Sequence, residues 1–297
     1  MALAPAPFEP RFSTAKIASI LLNSALLYVL AYLLMHLLVQ ATQIAIAYRY
    51  VIPTILNPSK LNFRIQDPEW RRSSVVIIFA VGQTLCLLLS AFFVLRLRDA
   101  SERRGLQKLF YAWLILHGSN QFFGALVADN FVRDGFWLSP RYLFITTNVP
   151  AVAAGFLSAN ICLIIGYKMS LPFLKTCDSI TLMKLENRPM LVWVTIFGPW
   201  LVGTIAINLC KIQAMTILEE AHLFSILLLL IPMAVGVRFE MHEQTVPDPR
   251  RPRLNRGLAL FTVLVLVAYR LVLHKGIYFK PHGYLNFPGS EVVDKLK

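Results

Sequence analysis

The sequence predicts an all-α fold, a polytopic bundle of about seven transmembrane helices with the N-terminus on the cytoplasmic side. Apolar runs of about 20 residues recur from residue 17 almost to the end of the chain, the length needed to cross the bilayer hydrocarbon. The 297 residues are 57% hydrophobic and only 15% charged, against about 45–50% and about 25% in soluble domains. Basic residues gather in short clusters between the apolar runs, the pattern of positive-inside loops.

The spans are read at 17–48, 75–95, 109–131, 143–167, 189–210, 220–237 and 257–273. Residues 1–16 form a cytoplasmic N-terminal segment, 17–279 the transmembrane helical domain and 280–297 a polar C-terminal tail. The first run is too long for the core of a cleavable signal peptide and reads as a retained signal-anchor. No lipidation signal is read: Ala2 follows the initiator Met, and the chain lacks a C-a-a-X ending. Pro53, Pro58 and Pro68 argue against a long helix between the first two spans, where Trp70 beside Arg71 and Arg72 suits an interfacial anchor. Runs five and six are separated only by residues near Lys211–Thr216. One helix from 190 to 231 would be about 60 Å long, roughly twice the hydrocarbon thickness, so a tight hairpin is required there.

The net charge of +13 comes from 29 Lys and Arg against 16 Asp and Glu. Their placement between spans favours anionic lipid headgroups as partners over nucleic acid. Arg96, Arg98, Arg103, Arg104, Arg250, Arg251 and Arg253 are the expected headgroup contacts. The dense cluster from Arg96 to Lys108 sets the predicted orientation. Cys86, Cys162 and Cys210 lie inside apolar runs and Cys177 in a polar loop, with no paired spacing, so neither a disulfide framework nor a metal site is expected.

Polar residues inside the spans fall on single helical faces. His36, Gln40 and Gln43 make one stripe, Gln83, Cys86 and Ser90 a second, and His117, Asn120 and Gln121 a third. Together with Asn148 they form a candidate intramembrane polar cluster: His36, Gln40, Gln83, His117, Asn120, Gln121 and Asn148. Such groups either hold helices together by hydrogen bonds or line a solute or proton path. Glu219 and His222 form a Glu-x-x-His pair, half of a di-iron carboxylate motif. A second pair is missing, and a plain helix-start reading is preferred. No nucleophile elbow, P-loop, intact H-E-x-x-H or dinucleotide fingerprint occurs.

The run His36-Leu37-Leu38-Val39-Gln40 resembles the zinc helix of site-2-protease-type intramembrane metalloproteases, whose early transmembrane H-E-x-x-H supplies two zinc ligands and a general base. Asn148-Val149-Pro150 followed by Ala154-Gly155 is similar to the family's later Asn, Pro, Asp-Gly motif. The likeness covers about residues 25–160. Leu37 stands where the base should be, Gln40 replaces the second histidine, and Ala154 replaces the ligating aspartate. The resemblance therefore implies a non-proteolytic relative, and zinc is disfavoured as a cofactor.

The leading expectation is a multi-pass protein of the bacterial inner membrane without catalysis of its own, a pseudo-metalloprotease acting as a membrane subunit or scaffold that binds a protein partner or lipid. The alternative is a small-solute or proton transporter working through the intramembrane polar face. An intramembrane metalloprotease relative ranks third.

Overall fold

The computed structural model describes residues 14–98, 105–144, 148–177, 179–212, 214–240 and 253–281. Helix α1 (Thr14–Arg49) is followed by strands β1 (Thr54–Leu56) and β2 (Leu61–Phe63), then α2 (Arg72–Arg98). Helix α3 (Gly105–Ser119) runs through a wide π turn at Asn120–Gly124 into α4 (Ala125–Val132). Short α5 (Leu138–Phe144) precedes α6 (Val149–Leu174), and one turn, α7 (Ile180–Met183), leads to α8 (Arg188–Val192). A second π turn at Trp193–Phe197 joins α8 to α9 (Gly198–Cys210). Helices α10 (Ile217–Ser225), α11 (Leu227–Phe239) and α12 (Arg256–Leu273) and strand β3 (Ile277–Phe279) complete the described chain.

Six helical stretches are long and apolar enough to cross a bilayer: Thr14–Arg49, Arg72–Arg98, Val149–Leu174, Leu185–Cys210, Ile217–Phe239 and Arg256–Leu273. Large apolar side chains such as Phe156, Leu264 and Leu271 on α6 and α12 are exposed over half their surface or more. Water would not tolerate apolar faces of that extent, whereas lipid does. The stretch from α3 to α4 is different. It carries His117, Ser119, Asn120 and Gln121 at its centre, and residues 112–121 are all buried. The most polar helix is thus the one most enclosed by protein, as the cost of polar groups in hydrocarbon requires.

Helix α1 is the axis of the bundle, packed against α2, α3, α9 and α12. Cys86 donates through Sγ to the Met35 carbonyl at 3.6 Å, and Gly82 faces Val39, so α2 runs antiparallel to α1. Ser24 lies against Thr195 and Tyr28 against Thr204, so α9 runs parallel to it. Close helix approach depends on missing side chains. A Cβ on Gly118 would stand 2.7 Å from the Cys86 carbonyl oxygen, a backbone atom of α2 that cannot yield. Gly118→Ala is therefore expected to lower the stability of the detergent-extracted protein by about 1–3 kcal/mol. Gly257→Ala, where only Asn255 Oδ1 comes within 3.4 Å, should leave the unfolding temperature unchanged in the same assay.

The structure differs from the sequence reading around α5 and α6 and in the segment between α1 and α2. Residues 143 and 144 belong to α5, and the next long helix starts at Val149 and continues to Leu174, past the expected end at 167. Arg72 explains part of this: its Nε donates to the Tyr142 carbonyl at 2.7 Å and a second nitrogen to the Leu143 carbonyl, tying α5 to the start of α2. The segment between α1 and α2 is also not wholly irregular. Strand β1 pairs antiparallel with β2 (Thr54 opposite Phe63) and with β3 (Thr54 opposite Phe279). Three-residue strands are too short for an alternation signal, and β3 lies far along the chain from its partner.

The hairpin between spans five and six closes where expected. Helix α9 stops at Cys210, the Arg270 guanidinium donates to the free carbonyls of Cys210 and Ile212 at 3.1 and 3.0 Å, and Thr216 caps α10 by accepting from the Glu219 amide. Arg96 and Arg98 are exposed at the end of α2 and Arg253 just before α12. Arg103, Arg104, Arg250 and Arg251 lie outside the described residues.

Candidate intramembrane charged site

The inner face of α1 carries more polar groups than the three singled out from sequence. Asn23, Ser24, Tyr28, Tyr32, Gln40 and Gln43 are all buried, and His36 is nearly so. From Ser24 to Gln40 they repeat at i, i+4, one ridge of the helix. At the end where α1 begins, Asn23 donates to the Arg253 carbonyl and accepts from the Asn255 amide. Ser24 donates to the Thr195 carbonyl at 3.0 Å and accepts from Trp113 Nε1 at 3.1 Å. One turn on, the Tyr28 hydroxyl pairs with Thr204 Oγ1 at 3.1 Å, while its ring lies against Trp113 and His117. Nε2 of His117 is buried without a hydrogen-bond partner.

The next turn holds a charged cluster. Lys211, in the hairpin between α9 and α10, is fully buried and forms an ion pair with Glu219. Its ammonium also donates to the Tyr32 hydroxyl at 3.0 Å and to His36 Nε2 at 3.2 Å. The Tyr32 hydroxyl in turn donates to Glu219 Oε1 at 2.5 Å, and its ring stacks on His36. The rings of Tyr32 and Tyr269 face the ammonium at 5.0 and 5.4 Å. Tyr269 donates to the Pro58 carbonyl, so the turn after β1 roofs the cluster. Glu219 Oε2 is left buried and unpartnered.

One turn along α10, a second acid–base pair faces α4. His222 Nε2 contacts Asp129 Oδ1, and Asp129 Oδ2 accepts from the Phe136 amide at 2.5 Å. Asn120 donates to the His222 carbonyl at 2.9 Å and accepts from Ser225 at 3.1 Å. Asn120 opens the π turn, and such turns mark functional sites in many helices.

Of the residues expected from sequence, His36 belongs to the Lys211 cluster and Asn120 to the Asp129 cluster. His117 lies between Tyr28 and Tyr32 of α1. Gln40 and Gln83 are buried, each with an unpartnered Oε1, and Gln121 is buried beside Asn120. Asn148 does not join them: it is exposed, at the cap of α6. Sequence alone does not single out Tyr32 or Lys211, because tyrosine is common in apolar helices and Lys211 looks like an ordinary loop cation. Glu219 and His222 were visible as Glu-x-x-His, with a different meaning. They point into two sites and do not converge on one metal. Among the described residues no group of three or more His, Cys, Asp or Glu could hold a metal ion.

These features define the class: a polytopic helical membrane protein with ionisable groups sealed inside its bundle. No family model matches the chain, and no curated protein or solved structure resembles it significantly.

Proposed function

We propose that this protein is a transporter that carries protons across the bilayer along the inner face of α1, with Glu219 and Lys211 as the exchanging groups. The observation that carries this reading is the fully buried Lys211–Glu219 pair set within a polar ridge running from Asn23 to Gln40. That ridge is about 26 Å long at 1.5 Å per residue and runs from the start of α1 past the charged pair. Charges sealed away from water are costly, and ionisable residues buried within membrane bundles mark ion and proton pathways. Hydroxyl, imidazole, ammonium and carboxylate groups alternate within hydrogen-bond reach, the chemistry of a relay.

The test is proton flux into proteoliposomes holding a trapped pH dye, driven by a potassium diffusion potential. Protein-dependent flux above that of empty vesicles is expected. Its absence at every imposed potential overturns the reading.

A second reading, a membrane subunit bound to a partner, draws on the satisfied part of the ridge. Ser24 with Thr195 and Tyr28 with Thr204 are good interhelical glue. A packing role alone, however, would be served as well by an apolar pair of the same shape. Zinc-dependent proteolysis is not supported by the donor set at His36, whose Nε2 faces an ammonium where a dication would have to sit.

A further inference from the structure

Beyond the charged cluster, α1 continues toward Arg49 and shows a different face to the outside. Leu37, Ala41 and Ala45 lie on one stripe, and with Leu56 of β1 and Phe279 of β3 they line an open apolar groove of about 550 Å³. That volume is within the usual range for small-molecule sites, about 300–1,000 Å³. The two alanines set its depth. Arg49 stands at one end of the groove, exposed, and forms no ion pair among the described residues.

We propose that the groove holds one acyl chain of an anionic phospholipid whose phosphate sits on Arg49. The stripe from Leu37 to Arg49 is about 18 Å long, so the groove follows the helix through one leaflet. Arg49 ends α1 just as Arg72, preceded by Arg71, begins the antiparallel α2. Trp70 packs beside them on Phe63 and Phe79, an aromatic and basic girdle of the kind found at headgroup depth. A guanidinium there offers a phosphate two parallel hydrogen bonds. The charge lies at one end and the apolar channel below it, which matches the shape and sign of a lipid. A soluble anion would leave the channel empty.

The experiment uses the full chain in detergent, exposed to equal phosphatidylglycerol and phosphatidylcholine and read by native mass spectrometry. About fivefold preferential retention of phosphatidylglycerol is expected, the usual effect of one arginine at a membrane surface. Arg49→Gln should bring the two lipids to parity, and Ala45→Trp, which fills the groove, should lower retention of both. Lys168→Gln, an exposed cation on α6, should leave the preference unchanged. Equal retention by the unmodified protein overturns the proposal, as does a preference that survives both Arg49→Gln and Ala45→Trp. A partner polypeptide cross-linked from position 41 in place of lipid overturns it too.

Discussion

Glu219→Gln is expected to cut proton flux in proteoliposomes at least about 100-fold, the scale on which a positioned acid or base contributes. Glutamine keeps the shape of the side chain and can still accept from Tyr32 at Oε1, but its amide cannot take up and release a proton as the carboxylate does. Lys211 would then lose its counter-charge, and the pair would have no carboxylate left to exchange a proton with. Glu219→Asp preserves a carboxylate one methylene shorter and should keep measurable flux. Unchanged flux in Glu219→Gln would remove this residue from the pathway and leave the subunit reading in its place.

The second large effect concerns stability. Lys211→Met leaves Glu219 buried without its cation and should destabilise the detergent-extracted protein by about 3–5 kcal/mol. Removing both charges, Lys211→Met with Glu219→Leu, should recover most of that loss, because a well-packed apolar pair often matches a buried ion pair. Denaturation of the two single variants and the double variant measures the coupling. If the pair only held helices together, the stable double variant would behave as the parent in every assay. A proton site predicts a protein that is folded and stable, yet silent in the flux assay. Two single losses that simply add would show that Lys211 and Glu219 do not act as a unit.

Much of the architecture is legible without coordinates because bilayer thickness imposes a length and a composition on every crossing segment. The ends of span one, span seven and the hairpin after Cys210 fall within a few residues of their expected places. Arithmetic on helix length alone requires that hairpin. The stripe of His36, Gln40 and Gln43 was also visible, since leucine is the default in hydrocarbon and a polar side chain there needs a reason. Its extension through Tyr32, Tyr28 and Ser24 was not, because those residues are ordinary in a membrane helix until something is seen opposite them.

The sequence by itself determined that this chain is a helical bundle in a membrane, and that polar groups line the inner faces of several helices. Period and hydropathy are local properties, and local properties suffice for both. Only the tertiary structure decided which of those groups meet. Lys211, which reads as one more loop cation, is folded back beneath the turn at Pro58 onto Glu219, Tyr32 and His36. His222 turns instead to Asp129, and Asn148 is left at the surface. The partners are far apart in sequence, and their pairing depends on the relative height and rotation of separate helices. No stretch of sequence encodes that alone. Packing does, by admitting a buried charge only where an opposite charge is already waiting.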